Sequence, residues 1–272
     1  VLTQQQRRFF DVFGFLAVRQ LFSTEEVKEI SESFDTAIEQ ARNGMPFTAE
    51  RRQMVIGIVE HSDRLSELME DDRIYNIIAG LLGPDLTWIT SDGNLYVGNT
   101  DWHPDSHLHT YQPIKVAIYL DPVTRDKGAL RVIPGSHREP FHGSVTPART
   151  AKMKGVSPDD PGGEESFGVG GRQVPYFAVE SEPGDVVFFS GALYHASFGG
   201  GDHRRMFTLN FAARPRQPEE VKFHKDLYER HLGWVRDDPY RPRSYVYGEE
   251  FLSGGGSRRQ ALVQQLREWE FR

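Results

Sequence analysis

Residues 183–197 read PGDVVFFSGALYHAS. A Pro-Gly-Asp turn opens the stretch, an apolar run follows, and a small-residue bend at 190–192 precedes His195. An apolar run this short, bounded by turn residues, reads as a buried strand. The same pattern recurs at LTWIT (86–90), NLYVG (94–98), IKVAIYL (114–120), ALRVI (129–133), YFAVE (176–180) and MFTLNFAA (206–213). Helical patterns do not alternate with these runs. The spacing therefore predicts an antiparallel sandwich or barrel over about 86–215, not βαβ units.

Helices are expected on either side. Thr3 caps a helix running to Val12, and Gly14 breaks it before FLAV. Ser23 and Glu26 form an S-x-x-E capping box. Behind it Val27, Ile30, Phe34, Ala37 and Ile38 recur at helical spacing, with Gly44 as the expected end. A second helical stretch carries Leu65, Leu68, Met69, Ile74, Ile77, Ile78, Leu81 and Leu82, and Gly83-Pro84 stops it. Beyond Pro215, PEEVKFHKDLYERHL (218–232) is helical, and a last helix follows the glycines at 254–256. The expected organisation is one domain over 1–272: a helical part (1–83), a β core (about 86–215) and a helical extension (216–272). The polar, Gly/Pro-rich segment at 142–171 reads as a long loop, of the kind that forms lids or binding loops.

Composition removes several function classes. Of the 272 residues, 38% are hydrophobic and 26% charged, which is ordinary for a globular protein. No apolar run reaches the ~18–20 residues of a membrane span. The opening residues lack the apolar core and cleavage site of a secretory signal, so the expected location is cytoplasmic. There is no cysteine, which removes thiolate metal sites and cysteine nucleophiles. A net charge of −7 argues against a nucleic-acid partner. A small-molecule substrate is the expected partner, and the oligomeric state is left open.

Any metal must therefore sit on His, Asp or Glu. Two residues apart on a strand, a histidine and an aspartate share a face. With a distant second histidine they form a facial triad that leaves open positions, a set suited to iron(II). The His-x-Asp pattern occurs three times, at 61–63, 103–105 and 224–226. His61–Asp63 stands at a helix start, where Ser62 or Asp63 is better read as a cap. His224 and Asp226 lie in a helical pattern, where positions i and i+2 diverge. His103 and Asp105 follow one strand and precede another, so they are the candidate ligands, with His195 as the third.

The next stretch, DHRRMFTLNFAARP (202–215), offers a cation for a dicarboxylate co-substrate. Strand alternation places Arg205 with Phe207, Leu209 and Phe211 on an apolar face. Arg204 shares the other face with Met206, Thr208 and Asn210, a polar interior. Arg204 is the expected anchor.

Four segments, WHPDS (102–106), GALRVIPGSH (128–137), PGDVVFFSGALYHAS (183–197) and RRMFTLNFAARP (204–215), together resemble the phytanoyl-CoA dioxygenase family of Fe(II)/2-oxoglutarate-dependent oxygenases. The opening FFDVFGFLAVRQLFSTEEV (9–27) is also similar, so the resemblance spans about 1–215. It implies a mainly β fold, a double-stranded β-helix (jelly-roll) core with flanking helices. It implies iron on His103, Asp105 and His195, and 2-oxoglutarate on Arg204 with help from Ser197. Asn94 and Thr208 join them as candidate co-substrate contacts. The retained carboxylate at Asp105 implies oxygenation, because halogenating members carry a small residue there. The expected reaction uses O2, oxidises an unactivated C–H bond of a small polar metabolite or natural-product intermediate, and converts 2-oxoglutarate to succinate and CO2. Hydroxylation is the default outcome, with desaturation or ring closure as variants. The loop from His195 to Arg204 is shorter than usual for the family, and 216–272 matches nothing in it.

Trp102, His107, His109, Tyr111 and Arg131 are the candidate substrate contacts. No cluster of Lys and Arg stands beside the motif in sequence, which disfavours an acyl-CoA. Two other readings compete: a cupin-type isomerase or binding protein without 2-oxoglutarate, and a non-catalytic jelly-roll module. Neither would need Arg204.

Overall fold

The computed structural model describes residues 2–50, 52–106, 108, 110–144 and 173–272, with backbone alone at 202 and 203. Of the loop read at 142–171, the part from 145 onward lies outside the described residues, as do His107 and His109.

Among the described residues, eight strands form a mainly antiparallel sheet that curls into a nearly closed barrel of the jelly-roll type, flanked by helices. They are β1 (Phe15–Val18), β2 (Gln53–Ile56), β3 (Leu86–His103), β4 (Ile114–Tyr119), β5 (Leu130–Val132), β6 (Phe177–Val179), β7 (Val186–Ser190) and β8 (His195–Ala213). The hydrogen-bonded order is β1-β7-β4-β8-β3-β2, and β5 joins β8 to β6. The helices are α1 (Gln4–Phe13), α2 (Thr24–Ala41), α3 (Asp63–Ser66), α4 (Asp72–Leu82), α5 (Pro218–Arg236), α6 (Glu249–Ser253) and α7 (Ser257–Glu268).

Local chemistry explains the helix starts. Thr3 with Gln6, and Ser23 with Glu26, form reciprocal capping boxes that satisfy otherwise unpaired N–H groups. Ser62 caps α3, the role expected from its place in the His61–Asp63 pattern. The second helical stretch is divided into α3, a short 3-10 turn at Glu67–Met69 and α4, because Asp71 caps a fresh helix start. The third of the chain read as helical also contributes two strands. FLAV is β1, paired with β7, and QMVI is β2, paired with β3.

Strands β3 and β8 organise the barrel. They pair from Leu86↔Ala213 to His103↔His195, with register shifts between Trp88 and Thr90 and again beyond Tyr96. The sequence suggested two strands in 86–103 with a break near Asp92. The chain instead runs through as one, and the bend falls at Gly98, whose φ of +81° favours glycine. The second half of β8 pairs with β4, and its first half pairs with β5, so β8 spans both parts of the barrel.

Strand alternation then sorts the side chains. Val116, Ile118, Phe207, Leu209 and Phe211 enter one continuous core with residues of α2, α4, α6 and α7. Phe34 of α2 stacks on Phe207 at 5.9 Å, and Trp88 meets Phe211 edge-on at 5.1 Å. Removing one such ring, as in Phe207→Ala, costs about 3–5 kcal/mol. Their strand neighbours face the barrel interior. No helix among the described residues is long and apolar enough to cross a membrane.

Candidate active site

The interior is a cavity of about 370 Å3, with His103, Asp105 and His195 on its wall. His103 ends β3 and His195 begins β8 as its register partner. Asp105 is not on the strand with His103, as its sequence spacing suggested. It follows Pro104 in the connection to β4, and that turn brings its carboxylate back towards both rings. Asp105 Oδ1 lies 3.8 Å from His103 Nε2, and Oδ2 lies 3.7 Å from His195 Nε2.

The two imidazoles are held in one tautomer. His103 Nδ1 donates to the Asp101 carbonyl at 2.7 Å, and His195 Nδ1 donates to the Leu193 carbonyl at 2.9 Å. A carbonyl can only accept, so each Nε2 keeps its lone pair for the cavity, as metal-binding histidines require. One ligand atom from each of the three residues falls within 4.8 Å of the others. Small inward movements would bring the set to bonds of ~2.0–2.2 Å around a divalent ion. Donors of this type suit iron(II) among other first-row metals.

Electrostatics favours the ligating forms. Burial raises the Asp105 carboxyl, but Lys115 and the two imidazoles outweigh it and hold it well below the usual carboxylate range. Lys115 Nζ lies 3.0 Å from Asp105 Oδ2. Burial, reinforced by His103, lowers His195 to about 3, so its ring is neutral at physiological pH.

A second polar group lines the same cavity. Arg204 is buried, and its Nη1 donates to Ser197 Oγ at 2.9 Å. Its guanidinium stacks 4.1 Å from the Tyr96 ring centroid and lies 5.8 Å from that of Tyr119. Among the described residues no carboxylate comes within ion-pair distance of it, and its Nε has no partner. Gly128 makes room for this side chain: a Cβ there would collide with the guanidinium. Arg205 points the other way, into ion pairs with Asp121 (2.7 Å) and Asp35 (2.9 Å).

The other candidates divide. Ser197 and Thr208 line the cavity, and the Thr208 hydroxyl donates to Asp92. Asn94 lies behind the wall. It accepts from Arg52 Nε at 2.7 Å and donates to Asp92 Oδ1 at 2.7 Å, so it orders two wall residues. Trp102 is not on the wall but packs with Phe198 and Tyr176 in a separate apolar cluster. Arg131 is buried over the same two rings. Tyr111 is buried away from the cavity wall, bonded to the Ala213 carbonyl and to His224.

Several wall residues were not singled out from sequence: Arg52, Asp92, Tyr96, Lys115 and Tyr119. Lys115 had a visible signal. In IKVAIYL the apolar Ile114, Val116 and Ile118 share one face, leaving Lys115, Ala117 and Tyr119 on the other. Asp92 did not, because SDGN (91–94) has the composition of a turn yet runs through β3.

The family model for phytanoyl-CoA dioxygenase (PhyH) matches residues 10–206 of this chain. The chain belongs to the phytanoyl-CoA dioxygenase family. A probable phytanoyl-CoA dioxygenase of Caenorhabditis elegans is 22% identical over 226 residues, covering 72% of this chain and 70% of that protein. A probable alpha-ketoglutarate-dependent hypophosphite dioxygenase of Stutzerimonas stutzeri is 25% identical over 156 residues, covering 51% and 54%. Human peroxisomal phytanoyl-CoA dioxygenase is 21% identical, and the chain spans 64% of its length. Among solved structures, HygX from Streptomyces hygroscopicus with nickel and 2-oxoglutarate bound superposes with a TM-score of 0.58 at 18% identity, covering 78% of this chain and 87% of HygX. The likeness is one of fold, and the family match ends within β8, before α5 begins.

Proposed function

We propose that this member of the phytanoyl-CoA dioxygenase family is an Fe(II)- and 2-oxoglutarate-dependent oxygenase that oxidises an unactivated C–H bond of a small metabolite, with release of succinate and CO2. His103, Asp105 and His195 would hold the iron, and Arg204 with Ser197 would hold the distal carboxylate of 2-oxoglutarate. Iron and 2-oxoglutarate, when bound, supply the O2-derived oxidant for C–H cleavage. The single observation that carries the proposal is the coexistence, in one cavity, of a tautomer-fixed His-Asp-His set and a buried arginine without a carboxylate partner among the described residues. A buried cation without a counterion is costly, and a dicarboxylate resolves that cost.

The chain's own groups prepare the site. The Asp101 and Leu193 carbonyls orient the rings. Lys115 keeps Asp105 ionised. Tyr96 and Tyr119 cover the Arg204 guanidinium and exclude water from it, which strengthens its charge interaction. A cupin-type isomerase or a passive jelly-roll module would leave Arg204 without purpose. Hydroxylation is the default outcome.

The test is succinate formation from 2-oxoglutarate with iron(II) and O2, compared with Asp105→Ala. Slow substrate-independent succinate release by the wild type alone supports the oxygenase. Equal release by both proteins contradicts it.

A further inference from the structure

Helix α5 lies beyond the family match, yet it forms a wall of the cavity. Phe223, Leu227, His231 and Trp234 recur at spacings of three and four, so they share the helix face turned to the barrel. His231 is only 5% exposed, and its Nδ1 is buried without a hydrogen-bond partner. A buried ring nitrogen on a cavity wall without a partner calls for a ligand or water. Charges from Asp92, Arg230, Lys115 and Asp105 all reach His231, so this helix looks onto the metal side of the cavity.

The charge balance of the wall then constrains what enters. Among the described residues, four cations, Arg52, Lys115, Arg204 and Arg230, face two carboxylates, Asp92 and Asp105. A divalent ion and the dianion 2-oxoglutarate cancel each other, so an excess of positive charge survives their binding. Lys115 is engaged by Asp105, and Arg204 is the co-substrate's anchor in the function proposed above. Arg52 and Arg230 remain against the single carboxylate of Asp92, which leaves one net positive charge; both arginines are exposed, and neither forms an ion pair among the described residues. Arg52 immediately precedes β2, and β2 packs near α5, which carries Arg230. Apolar Phe223, Leu227 and Trp234 stand beside them. At about 370 Å3 the cavity is near the lower end of the ~300–1,000 Å3 of ligand pockets, so the enclosed part of a substrate is small.

We infer that the substrate is a small oxoanion, a carboxylate or phosphoryl compound with a compact apolar body, whose anionic group is held by Arg52 and Arg230 and whose body lies along the α5 face beside His231. This rests on the oxygenase function proposed above, and it places substrate selection in a helix outside the family match.

The test uses the full chain loaded with nickel(II) in the absence of O2. 2-Oxoglutarate is titrated first. Absence of binding at that step contradicts the oxygenase itself and this inference with it. With 2-oxoglutarate saturating, hexanoate, hexyl phosphate and hexanamide are then titrated by calorimetry. We expect at least one of the two anions to bind tenfold or more tightly than the neutral amide, and whichever binds tighter gives the kind of oxoanion. Added salt weakens that preference. Arg230→Gln and Arg52→Gln each remove most of it, whereas Lys222→Gln, paired with Asp226 on the exposed side of α5, leaves it intact. Equal affinity for amide and anions, undetectable anion binding, or a preference that survives both arginine substitutions overturns the inference.

Discussion

His103 and His195 are register partners across the β3–β8 pair, and their ring centroids lie 4.3 Å apart. Backbone pairing thus brings together two side chains that are 92 positions apart in sequence. Asp105 completes the set from a turn. A ligand role for these residues predicts that His195→Ala or Asp105→Ala lowers iron(II) affinity by more than about 100-fold, beyond the 10–100-fold typical of groups that only support the ligands. Metal titration followed by calorimetry reads the affinity, and circular dichroism should show an unchanged sheet.

Arg204 and Arg205 are adjacent but point to opposite sides of β8. Arg204→Gln should raise the KM for 2-oxoglutarate by about 30- to 150-fold, the equivalent of ~2–3 kcal/mol for a charge-assisted contact. Arg205→Gln should leave that KM unchanged and lower stability by about 1 kcal/mol, through loss of part-exposed pairs with Asp121 and Asp35. Steady-state kinetics and urea unfolding separate the two effects.

Gly128 has a φ of +74°, and a methyl group there would meet the Arg204 guanidinium. Gly128→Ala should therefore reproduce, in weaker form, the KM defect of Arg204→Gln without touching a ligand. A KM unchanged from wild type would show that Arg204 is not held where the co-substrate needs it.

The fold carries a pH dependence remote from the metal. Glu60 Oε2 accepts the Gly248 N–H at 2.7 Å, tying the C-terminal segment to the 3-10 turn at Ile58–His61 that follows β2. Burial pushes its carboxyl up from 4.5 to about 8, against the opposing effects of Gly248 and Arg243. A raised pKa means that the folded state binds the proton more tightly. The contribution to stability is complete below pH 4.5 and is lost as pH rises through about 8. Glu60→Gln should remove this fall while keeping the acceptor for Gly248, so its Tm should exceed that of the wild type at pH 8.5. Thermal unfolding across pH 5–9 checks it.

Much of this was legible in the sequence because period-two alternation is a local property. It separated Arg204 from Arg205, and it would have exposed Lys115 in IKVAIYL. The strand-bend-histidine pattern at 183–195 gave both the β architecture and the histidine that begins β8. What escaped was long-range or local in a misleading way. Four-residue strands such as FLAV and QMVI carry too little periodicity to stand out beside helices, and only their pairing with β7 and β3 makes them strands. SDGN resembles a turn, but neighbouring strands on both sides hold it extended. Trp102 sits one residue from a candidate ligand yet faces the opposite side of β3, where its ring is wholly buried. The cavity face of α5 was invisible because nothing in a helix's own sequence states what lies opposite it. The Lys and Arg absent beside the motif in sequence are instead gathered from separate elements, as Arg52, Lys115, Arg204 and Arg230.

The proposed function requires one cavity to bind iron on His103, Asp105 and His195 and 2-oxoglutarate on Arg204. Its most direct test is anaerobic calorimetric titration of 2-oxoglutarate into the iron(II)-loaded chain. We predict one 2-oxoglutarate bound per chain, dependent on iron, and weakened at least about 30-fold in Arg204→Gln. Iron bound normally with no 2-oxoglutarate binding, or the same affinity in Arg204→Gln, would contradict the account.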